Sequence, residues 1–150
     1  MRKLWPFFCF YGGKWRAAPR YPAPLHRTVV EPFAGAAGYA TRQHARQIIL
    51  ADIDPIITGL WRYLIGASRS EIEALPSVVG HVDDVRAPQE ARWLIGFWLN
   101  KATNSPRKQP GAWMRSGIRP NSLWGDAIKS RIASMAKTHG LTPFAAVSQQ

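Results

Sequence analysis

A single cysteine in 150 residues excludes an internal disulfide, and acids are scarce, nine Asp and Glu against twenty Lys and Arg. Cys9 therefore suits a reducing compartment, the cytoplasm, and with no His at a recognisable spacing it reads as a half-buried thiol in an aromatic strand, Leu4 to Phe10. No apolar run approaches the roughly 18 residues that span a bilayer. Leu4 to Phe10 follows Arg2-Lys3 as a signal peptide would, but it is short, carries Pro6, and meets Gly12-Gly13-Lys14 where a cleavage site belongs. Asp83-Asp84 has no further ligand at metal spacing, His81 included, and His26 and His44 stand among polar or turn-forming neighbours, so no metal site is expected.

What is present is positive charge, unevenly placed. The net charge is +11. The first 27 residues hold Lys and Arg and no acid, residues 28–100 are slightly acidic, and from Lys101 onward Asp126 is the only acid. The excess lies outside the middle of the chain, as expected for a protein that meets a polyanion.

Thr28 to Asp54 organises the sequence. Thr28-Val29-Val30 reads as a strand, Ala34-Gly35-Ala36-Ala37-Gly38 as a small-residue turn, about Ala36 to Arg46 as a helix, and Gln47 to Ile53 as a second strand ending in acids. This is the plan of a nucleoside-binding βαβ half. Small residues admit a ligand to the backbone, a helix N-terminus offers N–H groups, and the acid at the tip of the second strand accepts ribose hydroxyls. A dinucleotide site needs G-x-G-x-x-G, and the third glycine is missing. Glu31 before the turn repels a pyrophosphate but suits a cationic amine, which favours S-adenosylmethionine over NAD.

Asp54-Pro55 predicts an N-cap with proline at the first helical position, and a helix to about Ala67 with Ile56, Ile57, Leu60, Trp61, Leu64 and Ile65 on one face. A short helix fits Ser70 to Leu75. Pro88 starts another, apolar almost all round from Trp93 to Leu99 and so buried. Residues 103–122 are irregular, with Arg107, Lys108, Arg115 and Arg119 around Trp113, a mixture suited to a loop that follows phosphates and touches bases. Trp113 reads equally well as core filler. A last helix from near Asn121 or Ser122 carries Trp124, Ile128, Ile132 and Met135 as its core stripe, and the tail reads as irregular.

Three segments resemble, in order, the motifs of the Dam-type adenine-N6 DNA methyltransferases, phage-encoded members most of all. Tyr11-Gly12-Gly13-Lys14 is similar to their Y-G-G-K box, and Glu31-Pro32-Phe33-Ala34-Gly35 to their E-P-F-x-G motif. Ala51-Asp52-Ile53-Asp54-Pro55, with Ile57 and Leu60 to Leu64, is similar to their ribose segment. Ala37 departs from the pattern, standing where the family has its second glycine. The resemblance implies S-adenosylmethionine as cofactor, with Lys14 at its carboxylate, Glu31 at its ammonium, and Phe33, Gly35 and Gly38 shaping the loop. It also places Asp52 at the ribose and Tyr11 as a brace.

Family members then carry Asp-Pro-Pro-Tyr, whose polar groups accept from the target amine and whose aromatic stacks on the flipped base. This chain has no Pro-Pro pair, and its one Asp-Pro is Asp54-Pro55. The expectation is an α/β protein with a partial Rossmann-like S-adenosylmethionine-dependent methyltransferase sheet and a helical, basic target-recognition sub-domain. Residues 1–85 would form the cofactor half, 86–138 the DNA-recognition region and 139–150 an irregular tail. Double-stranded DNA is the expected partner, with a downstream half carrying the catalytic motif, and no membrane. The expected activity is adenine-N6 methylation, in a truncated form inactive by itself. The alternatives are a non-catalytic DNA-binding remnant and, more distantly, a Rossmann oxidoreductase.

Overall fold

A computed structural model describes residues 4–43, 46–101, 103–118, 120–138 and 144–148. It is a mixed α/β structure. Strands β1 (Thr28–Pro32), β2 (Gln47–Asp52) and β3 (Phe144–Ser148) form a parallel sheet in the order β1-β2-β3. The register sets Val29 beside Ile48 and Glu31 beside Leu50, so these four share the face that turns into the core, and all are buried. The opposite face carries Val30 and Val147, both largely exposed. No described strand pairs with the free side of β1.

Five α-helices accompany the sheet among the described residues: α1 (Pro55–Gly66), α2 (Arg69–Glu73), α3 (Gln89–Trp98), α4 (Ala112–Arg115) and α5 (Asp126–Thr138). Asp54 caps α1 as expected, its side chain accepting the Ile56 N–H at 2.8 Å with Pro55 at the first helical position. Ile57, Leu60, Trp61 and Leu64 are buried against the sheet and α3, while Ile56 and Ile65 lie at the margin of that face. Ser68 and Glu71 make a reciprocal capping box on α2. The α3 segment is buried from Leu94 to Leu99, as its composition predicts, and α5 buries Ile128, Ile132 and Met135 behind Trp124.

Buried residues from Leu4 to Met135 belong to one continuous cluster, with members on both sides of residue 85. Trp98 Nε1–H donates to Phe7 O at 2.8 Å, and Phe8 packs between Trp61 and Phe97, so the N-terminal segment fills the space between α1 and α3. No described helix is long and apolar enough to cross a membrane.

Four elements differ from expectation. Leu4 to Phe10 is not a strand; Leu4, Phe7 and Phe8 are core plugs on irregular backbone. The helix expected from Ala36 to Arg46 is a single 3-10 turn, Ala40–Arg42, with residues 44 and 45 outside those described. Part of the tail expected to be irregular forms β3, held by Arg62 Nε donating to Ala146 O at 3.3 Å. The last α-helix begins at Asp126 after a 3-10 turn at Pro120–Ser122, because Gly125 interrupts with a φ of 157°.

Candidate functional site

The alternation of β1 turns Glu31 inward with Val29, and only 6% of its surface stays accessible. The Ala40 N–H donates to Oε2 at 2.8 Å, while Oε1 is buried with no hydrogen-bond partner among the described residues. Burial raises the pKa of Glu31 above the usual carboxylate range, against the lowering effects of the Ala40 hydrogen bond and the Lys14 charge. A buried carboxylate with one oxygen idle costs stability until a donor or cation reaches it.

Asp52 ends β2, level with the loop that leaves β1. Its Oδ2 accepts the Gly35 N–H at 2.9 Å and its Oδ1 accepts the Asp54 N–H at 3.0 Å. Each oxygen retains a second lone pair. Asp52, the acid expected at a ribose, and the glycine loop, seventeen positions apart, are thus joined directly. Trp61 Nε1–H donates to Gly35 O at 2.7 Å from beneath, so the loop is held at both of its Gly35 peptide groups.

The small residues of this loop make room for the chain itself. A Cβ on Gly38 would stand 2.2 Å from Trp15 N, and one on Gly35 would meet the Phe10 ring at 3.0 Å. The close approach that the glycines permit is taken up by the N-terminal segment of the same chain. Arg42 fastens that segment, donating from Nε to Trp15 O at 2.8 Å and lying 4.1 Å above the Trp15 ring. With only a 3-10 turn beyond it, the loop presents no helix N-terminus to an anion. Phe33 and Ala37 hold φ of 59° and 49°, a left-handed backbone that disfavours side chains.

The expected cofactor residues fall into three groups. Lys14 and Glu31 line a cavity of about 420 Å³ with Tyr21 and Tyr39. Val30, Glu31 and Pro32 all contribute to it, and consecutive strand residues share a cavity only beside the strand, so it opens along the free edge of β1. Lys14 Nζ reaches Phe33 O at 3.5 Å. Gly35 and Asp52 form the hydrogen-bonded pair, lining neither this cavity nor the next. Tyr11 and Gly38 line a second cavity, of about 650 Å³, on the side of α3 and α5. Tyr11 is 70% exposed and lines this second cavity and not the first.

Among the candidate DNA contacts, Arg107, Lys108, Trp113 and Arg115 are exposed, and Arg119 lies outside the described residues. Trp113 does not belong to the core, which removes the filler reading. Lys108 Nζ is 2.8 Å from Asp83, whose pKa falls through that hydrogen bond and charge. Arg115 donates to Pro110 O, which leaves part of its guanidinium available. The segment that carries Arg107 and Lys108, a strap across α3, is set by Gly96, where a Cβ would meet Arg107 O at 2.5 Å, and by Arg107 N–H donating to Gly96 O at 3.1 Å.

Sequence reasoning missed Ile53. It is 74% exposed between two engaged aspartates, and Phe33 is 69% exposed, so two apolar side chains stand exposed just past the ends of adjacent strands. An isoleucine between acids at a strand end was the available signal. The Lys129 ammonium was also unforeseen as a structural group: it donates to Leu75 O at 3.0 Å and ties α5 to the turn after α2. Comparison with protein-family models, curated proteins and solved structures finds no match in any of the three.

Proposed function

We propose that this chain is the cofactor- and DNA-binding portion of a Dam-type adenine-N6 DNA methyltransferase, cytoplasmic, with a partial Rossmann-like methyltransferase sheet. The observation that carries the reading is Glu31, a buried carboxylate with one oxygen unpartnered among the described residues, in a residue that lines the same cavity as Lys14. This pair, one anion and one cation on a common wall, fits the ammonium and carboxylate of an amino-acid moiety. Asp52, at the end of the neighbouring strand, keeps lone pairs for vicinal hydroxyls, and Phe33 and Ile53 offer apolar surface for a base.

S-Adenosylmethionine, when bound, supplies an activated methyl on a sulfonium. The chain's own residues orient it: Glu31 neutralises the ammonium, Lys14 the carboxylate, and Asp52 positions the ribose. Arg107, Arg115 and Trp113 provide the basic, partly aromatic surface for duplex DNA. These residues include no acceptor for the target amine, and the sequence has no Asp-Pro-Pro-Tyr. Methyl transfer therefore requires that acceptor from elsewhere. That same absence favours a second reading, a DNA-binding protein that keeps the cofactor fold without the chemistry.

Calorimetric titration of the chain with S-adenosylmethionine, S-adenosylhomocysteine and NAD tests the proposal. Preference for the first two, lost in Glu31→Gln, is the expected outcome. Equal binding of NAD, or an unchanged affinity in Glu31→Gln, would defeat it.

A further inference from the structure

The second cavity, about 650 Å³ between the N-terminal segment and helices α3 and α5, has charged groups of one sign only: Arg16, Lys101 and Arg131, with no carboxylate in its lining. Arg131 is half-buried, and among the described residues it forms no ion pair and its buried Nε has no hydrogen-bond partner. Burial pushes its pKa down against the opposing charge of Cys9, and Cys9 is itself pushed up by burial while Lys101 and Arg131 pull it back. The guanidinium lies 5.3 Å from the Trp98 ring centroid, and Trp5 and Trp15 stack on each other at 5.1 Å in the same wall.

We propose that this cavity binds a nucleotide unit, its phosphate on Arg131 and Lys101 and its base against Trp5, the exposed tryptophan of that wall. An unpaired half-buried cation favours an anion, and flat aromatic surface beside it favours a flat aromatic ligand. A simple inorganic anion would leave the tryptophan wall unused. S-Adenosylmethionine is disfavoured here, because its sulfonium and ammonium would meet three cations and no acid. The site is therefore separate from the one at Glu31, and either can fail without the other.

The test uses the full chain, with tryptophan fluorescence and calorimetry as readouts. The probes are adenosine 5′-monophosphate, adenosine, inorganic phosphate and a four-nucleotide single-stranded DNA. The monophosphate should bind at least tenfold tighter than adenosine and than phosphate, and quench tryptophan emission. Arg131→Met should weaken it at least tenfold while leaving S-adenosylhomocysteine binding unchanged. Lys101→Met, at an exposed position, should give a smaller loss in a chain whose folding is not at issue. Binding of the monophosphate alone identifies a free nucleotide as the source, and tighter binding of the tetranucleotide identifies a nucleic-acid strand; both support the site. Failure of both to bind, binding no tighter than phosphate, or equal affinity in Arg131→Met and Lys101→Met would each overturn it.

Discussion

Two residues sit in states that cost stability. Phe33 holds a left-handed φ of 59° with its ring largely exposed, so neither backbone nor burial accounts for a phenylalanine there. Phe33→Gly should stabilise the chain by about 1 kcal/mol, the left-handed penalty less glycine's entropy, and weaken S-adenosylhomocysteine binding. Urea denaturation and calorimetry read the two separately, and a stability loss would show that the ring packs after all. Glu31, with a pKa raised chiefly by burial, holds its proton more tightly folded than unfolded. The ligand-free chain should therefore lose stability as pH rises from the ordinary carboxylate range through the raised value. Glu31→Gln should remove that slope and raise the melting temperature at neutral pH, a result to check by thermal melts across pH 4–8. Asp52→Ala should weaken cofactor binding by about 1–3 kcal/mol, as calorimetry would measure, by removing a charged acceptor and freeing the Gly35 loop.

Helix and loop positions depend on contacts that single residues control. Asp54→Ala removes the cap of α1 and should cost about 1 kcal/mol in urea denaturation. The effect of Gly96→Ala should reach further. Its methyl collides with Arg107 O and Pro106, on backbone that cannot swing aside as a long side chain does. The strap that carries Arg107 and Lys108 would be displaced, with a stability loss of about 1–3 kcal/mol, typical of overpacking, and weaker DNA binding. Retained DNA affinity in a folded Gly96→Ala would clear the strap of that role.

For the whole molecule, charge and sheet coverage make the predictions. DNA binding should weaken with salt by a slope of about 0.9 per phosphate neutralised. Arg107→Ala should flatten the slope by about one unit, and Lys108→Ala by less because Asp83 already engages that ammonium. Equal effects in salt titrations would mean that the ion pair opens on DNA. Parallel strands are normally covered on both faces, yet Val30 and Val147 remain exposed, and β1 has an unpaired edge among the described residues. The isolated chain should associate in sedimentation and transfer no methyl from labelled cofactor to DNA. Adding a segment that bears Asp-Pro-Pro-Tyr should restore both solubility and transfer, and transfer without it would place the acceptor within these residues.

Much of the architecture was legible from residues close together in sequence. Asp54-Pro55 set the start of α1, β-branched runs set β1 and β2, and apolar spacing set the buried stripes of α3 and α5. Caps and periodicity act over a few residues and survive whatever surrounds them. The places of Glu31 and Asp52, carboxylates at or near strand ends beside a small-residue turn, were legible for the same reason. Tertiary structure decided what those groups face. The glycines admit Trp15 and Phe10, segments more than twenty residues away, and that packing leaves a 3-10 turn where a helix was expected. The tail becomes a strand only because β2 offers it an edge and Arg62 holds it there. Trp98 reaches Phe7, and Arg131 its half-buried place above Trp98, across separations that no local pattern encodes. Sequence determines which groups are polar, small or apolar; only the folded chain decides which of them are left without partners, because burial and hydrogen bonding depend on distant segments.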